Sequence, residues 1–371
     1  MWIQFLGMGV GYAGYLLLTY IGYLSSGFSM AAVWARFGLL PCLFACSDGV
    51  SWAGWFFYSL GSLVLFVAFL LTNTAVARAA YMAMKGHPFY SWREAFSFAC
   101  RKWASVVIAP VSLFTLIGMV LLAGFLVGLL GKIPYIGSLG ISLTIIFWFL
   151  AALILVYFIL VALVSIWLAP SIIATSDEDA FEVVFQSFSL TWSQPWRVLG
   201  YQGLTLLLAL FSLMILAAMG KAAVLIMNSL LGVAAGNEFT SLACSGQALL
   251  QHALSASSDL VEFAFRGLTR FFYFSKQYSH PDFTGLPTTF AVSSWLYAGS
   301  LLFVVGWILA YGFSTYTVGN VLSYLSLRKR KDGENLLERH DREEDMEESE
   351  EESKEEDQAD EQKAKPPQSV R

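Results

Sequence analysis

The sequence predicts an all-α fold: a polytopic membrane helical bundle of about six transmembrane helices, with interfacial amphipathic helices and a disordered acidic C-terminal tail. Three observations predict it. The 371 residues are 57% hydrophobic and only 13% charged, outside the range of soluble domains of this length. The apolar residues come in blocks of about 20 or more, the length at which a helix crosses a bilayer with its backbone bonded internally. Charge is also segregated: 17 of the 27 Asp and Glu lie from Asp332 onward, which leaves 10 for the preceding 331 residues, where Lys and Arg outnumber them.

The qualifying blocks are approximately 3–24, 54–73, 104–130, 139–168, 198–219 and 296–325. They define a transmembrane domain over 1–327, followed at 328–371 by a basic junction and the acidic tail. The first block is broken by glycines. It carries no basic residue before Arg36 and is longer than the roughly 7–15 residues of a signal-peptide apolar region, so it reads as a retained span. Residues 222–235 are a candidate extension of the fifth block.

Orientation follows from the basic residues. The loop between the second and third blocks holds Arg78, Lys85, Arg93, Arg101 and Lys102, and the sixth block is followed by Arg328, Lys329, Arg330 and Lys331. Lys and Arg close to span ends resist translocation, so both segments are expected in the cytoplasm. An even number of spans lies between them, which is consistent. The expected placement is a bacterial inner membrane, multi-pass, with both termini cytoplasmic. Trp103, Trp192 and Trp196 fall where spans meet the inner surface, and Trp52, Trp55 and Trp295 where they meet the outer one. Indole prefers that headgroup zone.

Two segments share a plan. Ser91-Trp92-Arg93-Glu94 leads through about three helical turns to Trp103 and the third span. Asp179-Ala180-Phe181-Glu182 leads likewise to Trp192 and the fifth. Each opens with a capping-box pattern, in which Ser91 or Asp179 accepts from a first-turn N–H and Glu94 or Glu182 reaches back. Phe96, Ala99, Cys100 and Trp103 share one helical face in the first copy, and Val184, Phe185, Phe188 and Trp192 in the second. Both read as short helices in the inner interface. The unit of span, interfacial helix and span thus occurs twice, 88 residues apart; negligible identity between the copies leaves internal duplication and coincidence both open.

The segment 220–294 is expected as a long outer loop. Within it Asp259-x-x-Glu262 opens an amphipathic helix, with Leu260, Ala264, Leu268, Phe271 and Phe272 on one side and Glu262, Arg266 and Arg270 on the other. Beyond Asp332, runs such as Glu347-Glu348-Ser349-Glu350-Glu351-Glu352 repel one another and have nothing to bury, so the tail is expected to be disordered. Arg328 to Lys331 are expected on anionic headgroups at roughly 1 kcal/mol each, with the acidic run repelled from that surface.

The stretch DAFEVVFQSFSLTWSQPWRVLGY, from Asp179 to Tyr201, resembles a cytoplasmic element of uncharacterised polytopic inner-membrane proteins of planctomycetes and related bacteria. Ala77-Arg78-Ala79-Ala80 with Ser91-Trp92-Arg93-Glu94-Ala95 and Ala109-Pro110 is similar to their first interfacial element. Tyr324-Leu325-Ser326-Leu327-Arg328 with Asp332-Gly333 is similar to their last shared stretch. Coverage runs from about Gly54 to Glu338. A more distant likeness is to the membrane domain that accompanies some glycerophosphodiester phosphodiesterases, whose catalytic domain has no room here. The resemblance implies architecture and no catalytic residues.

No catalytic constellation emerges. His87, His252, His280 and His340 pair with neither one another nor cysteine at ligand spacing, so no metal and no cofactor is expected. His87, between Gly86 and Pro88, reads as a solvated turn residue. Coupled carriers place charges inside spans; here the spans hold essentially none. Lys221 reads as snorkelling from the end of the fifth, and Asn73 and Asn320 sit near inner ends, where amides meet water or another helix. Gly7-x-x-x-Gly11 and Gly124-x-x-x-Gly128 read as packing within the bundle or between protomers. The topology places Cys42, Cys46 and Cys244 outside, which permits a disulfide from Cys46 or Cys42 to Cys244; free half-buried thiols are the alternative.

The function expected from the residues is therefore that of an integral inner-membrane scaffold or accessory component, not an enzyme. Its partners would be the lipid bilayer and membrane or cytoplasmic proteins, with no nucleic acid. The alternative is a transporter or lipid-handling subunit with an uncharged cavity.

Overall fold

The computed structural model describes residues 1–41, 49–87, 89–132, 136–177, 179–254, 288–333 and 335–338. Among the described residues there are nine α-helices and no strand. Six are long and apolar enough to cross a membrane: α1 (Trp2–Ser25), α3 (Trp52–Lys85), α5 (Trp103–Leu130), α6 (Ile136–Ser176), α8 (Pro195–Leu254) and α9 (Thr288–Asp332). Three are short: α2 (Met30–Phe37), α4 (Trp92–Arg101) and α7 (Ala180–Ser193). A 3-10 turn follows at Leu336–Glu338. The Asp259–Glu262 helix, the tail from Arg339, and Cys42 and Cys46 lie outside the described residues.

Every expected block is found inside a helix, and most of the helices overrun it. Beyond Asn73, α3 continues through Thr74-Ala75-Val76-Ala77-Arg78-Ala79-Ala80 to Lys85. Beyond Leu168, α6 runs on to Ser176, and beyond Leu325, α9 runs on to Asp332. At 1.5 Å per residue these extensions add roughly 10–18 Å to each helix. Hydropathy falls there, but nothing in those sequences stops a helix.

The largest departure is in the fifth block. The candidate extension through Ala222–Ala235 forms as part of α8, and beyond it, where a loop is expected, the chain changes direction at Gly236 and continues as helix to Leu254. Gly236 adopts φ 72°, ψ −151°, a conformation essentially restricted to glycine. The limb after the break returns along α9, where Val224, Leu249 and Leu250 pack with Ala298 and Leu301.

Helix α1 lies antiparallel on α3 along its glycines. A Cβ on Gly7 would fall 2.2 Å from Thr72 Oγ1, and one on Gly11 would fall 2.3 Å from Ala68 Cβ. Farther along, Gly61 of α3 faces Leu18 and Gly54 faces Gly22. The first glycine pair therefore lets two backbones approach closely, as small residues do in membranes. The second does not do so among the described residues: a Cβ on Gly128 would meet nothing within 4 Å, and one on Gly124 would meet only the edge of Trp148 at 3.9 Å. At the far end of α1, α2 folds over it, and Tyr20, Tyr23, Val33 and Phe37 form a small aromatic core.

Burial is graded along the bundle. At the end that carries α4 and α7, residues Thr72 to Arg78 of α3 are buried on every side, as are Leu168 to Ser176 of α6. Leu70, Phe98, Val106, Leu168, Ile172, Ile173, Val183, Leu190, Val198, Tyr324, Leu327 and Leu336 form the principal core there. Toward the other end, α5, α6 and α8 turn apolar side chains outward, among them Phe125, Phe147, Leu207 and Val233.

The short helices turn only part of their apolar faces to the protein. In α4 the buried residues are Ala95, Phe98 and Ala99, while Cys100 and Trp103 are exposed. In α7 the buried residues are Val183, Gln186, Ser187, Leu190 and Thr191, while Phe181, Phe185 and Trp192 point outward. An amphipathic helix in water presents its polar side to solvent; α7 turns its polar side into the protein and leaves the aromatic ridge for lipid. The capping box forms at Ser91 and Glu94. It does not form at Asp179, whose side chain makes no cap bond, and Glu182 accepts from Gln186 Nε2 at 3.0 Å.

Replacing Gly11 by Leu should lower the unfolding free energy by about 1–3 kcal/mol through overpacking against Ala68. The same change at Gly128, which has open space around it, should leave the detergent-phase unfolding midpoint where it is. Equal effects at the two positions would contradict the α1–α3 seam.

Candidate functional site

The densest chemistry lies where the extended ends of α3, α6 and α9 meet α4 and α7. Its centre is Arg78, which is fully buried. The sequence places it there by surrounding it with alanines, Ala75, Ala77, Ala79 and Ala80, whose small side chains let the neighbouring helices close around a long one. Its Nη1 donates to the Ala174 carbonyl of α6 at 2.9 Å. The guanidinium carbon sits 4.5 Å from the Phe98 ring centroid and 5.6 Å from that of Tyr81, within cation–π range. Arg78 thereby joins α3, α4 and α6.

Ala174 is two residues from the end of α6, among the terminal carbonyls that no amide of the same helix can reach. The Asp177 amide takes the carbonyl of Ile173 at 3.1 Å, and Arg78 takes that of Ala174. A second cation completes the terminus. Lys102, at the junction of α4 and α5, donates to the Asp177 carbonyl at 2.9 Å and pairs with its carboxylate at 2.9 Å. Asp177 has φ +54°, a left-handed conformation that favours glycine or a short polar residue. The negative end of the α6 dipole thus receives two positive charges from two other parts of the chain.

Around this clamp runs a seam of neutral polar bonds. Asn73 Oδ1 accepts from Gln4 Nε2 at 3.1 Å and from Thr317 Oγ1 at 3.0 Å, tying α1, α3 and α9 together. Tyr316 donates to Gln202 Oε1 of α8 at 2.8 Å. Tyr324 donates to Gln186 of α7, and Asn320 Nδ2 lies 3.5 Å from the Trp167 carbonyl of α6. Between helices in an apolar medium, such bonds supply the specificity that hydrophobic contact cannot.

The membrane-interface residues expected from the sequence divide into two groups. Trp103, Trp192 and Trp196 are all exposed, at 57%, 78% and 84%. Of the basic four, Lys329 and Arg330 are exposed, but Arg328 pairs with Asp332 at 2.9 Å and Lys331 donates to Ser189 of α7 at 2.5 Å. The four belong to the last turns of α9, and the chain remains attached to the protein beyond them. Leu336 is buried in the principal core, and Tyr81 Oη donates to its carbonyl at 2.7 Å. His87 is exposed in its turn, and Lys221 is half-buried within α8. Cys244 is also half-buried; its expected partners, Cys46 and Cys42, lie outside the described residues.

Arg78 and Lys102 enter the sequence reading only as orientation signals. A charged residue flanked on both sides by alanines was the available clue to Arg78. The bond from Lys102 to Asp177 spans 75 residues and has no local signature. Among the described residues, no group of three His, Cys, Asp or Glu converges where it could hold a metal ion. No protein-family model, curated protein or solved structure matches the chain.

Asn73→Leu removes the acceptor shared by Gln4 and Thr317 while keeping the volume. It should lower stability by about 1–2 kcal/mol. Unfolding of the variant in mixed micelles checks this, and Thr317→Val in the Asn73→Leu background should add little, because the two share one bond.

Proposed function

We propose that this chain is an integral inner-membrane scaffold or accessory protein of a bacterium, with both termini in the cytoplasm and no chemistry of its own. The observation that carries the reading is the use made of the interior cation. In a membrane bundle a buried charge is by default a functional candidate, and here Arg78 reaches a helix-terminal carbonyl and the rings of Phe98 and Tyr81. Its bonding serves the joining of helices. Orientation is supported by the gathering of Lys85, Arg93, Arg101, Lys102, Arg197 and Arg328 to Lys331 on the elements of one end, as the positive-inside rule requires of a cytoplasmic face. The likeness to the planctomycete inner-membrane proteins rests on the residues at that same end, and we carry the kinship as part of the proposal.

A second reading, a transporter or lipid-handling subunit with an uncharged interior, has one observation in its favour. Ser165 Oγ and Ser171 Oγ of α6 and Asn320 Oδ1 of α9 are buried without a hydrogen-bond partner among the described residues. Buried polar atoms are normally satisfied, so these three offer hydrogen bonds to a small polar guest.

Chemical crosslinking in membranes followed by purification separates the two. A scaffold should bring down a defined partner set that Trp192→Ala with Trp196→Ala depletes at unchanged expression. Time-dependent solute or lipid movement by the purified protein in liposomes, abolished by Asn320→Leu, would overturn the scaffold in favour of the second reading.

A further inference from the structure

The end of the bundle that carries α4 and α7 has cations to spare. Its carboxylates are mostly engaged. Glu94 accepts from the Ser91 amide at 3.0 Å, Asp177 pairs with Lys102, Glu182 with Gln186, Asp332 with Arg328, and Glu338 with Asn335. Asp179, exposed at the start of α7, is the exception among the described residues. By contrast Arg93, Arg197, Lys329 and Arg330 are exposed and have no carboxylate partner among the described residues. Arg93 makes only a cation–π contact, 5.4 Å from the Trp92 ring centroid.

The position from which the tail departs makes these four cations a set. Leu336 is buried in one cluster with Phe98 of α4, Val183 and Leu190 of α7, Val198 of α8 and Leu327 of α9. Those are the elements that bear Arg93, Arg197, Lys329 and Arg330. With Tyr81 holding the Leu336 carbonyl, the chain as far as Glu338 stays at the end of the bundle where these elements meet. The segment 341–361, which begins three residues later, carries 14 Asp and Glu against two basic residues. At no more than 3.6 Å per residue, its far end is within roughly 80 Å of Glu338, so every cation is in reach. Tethering at such lengths gives effective concentrations on the order of millimolar.

We propose that residues 341–361 of this chain dock on the collar formed by Arg93, Arg197, Lys329 and Arg330, so that the tail covers the basic face of its own protein. Anionic headgroups repel the tail, which leaves these protein-borne cations as the nearest opposite charges. The inference stands apart from the scaffold reading, since it concerns contacts within one chain.

The test uses the full chain and a chain ending at Glu338, which keeps every described residue, both in discs of zwitterionic lipid. The probe is a labelled peptide of residues 341–361. It should bind the shortened chain, bind about tenfold more weakly to the full chain, whose own tail competes, and weaken with added salt. It should also bind about tenfold more weakly to the shortened chain carrying Arg93→Gln, Arg197→Gln, Lys329→Gln and Arg330→Gln, whose unfolding midpoint should match the parent because all four are exposed. A second peptide with its carboxylates replaced by amides should not bind. Failure of the acidic peptide to bind the shortened chain at low salt, or equal binding with and without the collar or the tail, overturns the proposal. Binding that vanishes when the discs contain phosphatidylglycerol would assign the collar to lipid headgroups and overturn it as well.

Discussion

The end of α6 is the point on which the rest of the structure depends. Its last carbonyls, from Ile173 onward, emerge where a 41-residue helix leaves the apolar layer, and no amide of α6 itself can satisfy them. Arg78 arrives from α3 and Lys102 from the α4–α5 junction, and each binds at that terminus. The consequences are geometric. Arg78 cannot reach Ala174 unless α3 continues as helix past Asn73, and Lys102 cannot reach Asp177 unless α4 folds back across α3. Once both are in place, Phe98 lies over the guanidinium, and Leu336 closes on the core that Phe98 helps to form.

The uneven burial follows from the solvent. Within hydrocarbon, a leucine facing lipid loses nothing relative to one facing another leucine, so α5, α6 and α8 can stand with Phe125, Phe147 and Val233 outward. Close packing is then found where small residues or polar bonds reward it: the glycine face of α1 on α3, and the Gln4–Asn73–Thr317 junction. Beyond the apolar layer the hydrophobic effect operates, and there the three long helices and two short ones bury a core of ordinary kind. Helix α7 straddles the two regimes. Its Gln186, Ser187 and Thr191 face protein, and its Phe181, Phe185 and Trp192 face outward.

Much of this was legible in the sequence, and the limits have physical causes. The six spans are a matter of composition, which needs no partner to be read. The α1–α3 seam was half legible: glycine spacing marks both Gly7–Gly11 and Gly124–Gly128, but only a facing Ala68 or Thr72 decides which one packs. The extension through Ala222 to Ala235 was legible because it stays apolar, but the end of α3 was not, because Thr74 to Lys85 become more polar without acquiring a terminator. Which face of α4 and α7 meets protein was not legible, because a helix between protein and lipid has two apolar neighbours and its most hydrophobic stripe does not say which one it faces. The Arg78 site was missed because charge near a span end has a topological explanation that needs no contact.

The central claim is that Arg78 holds the end of α6, and the measurement that tests it most directly is the reversible unfolding free energy of Arg78→Met in mixed micelles. Methionine keeps the length and removes the donors, which leaves the Ala174 carbonyl buried without its partner. The account predicts a loss of about 2–3 kcal/mol, the scale of a charged hydrogen bond taken from a buried acceptor. It also predicts that adding Lys102→Met costs less than Lys102→Met does alone, since both cations serve one terminus. A variant as stable as the parent, as happens where a buried charge is replaced without leaving a polar group stranded, would contradict the account.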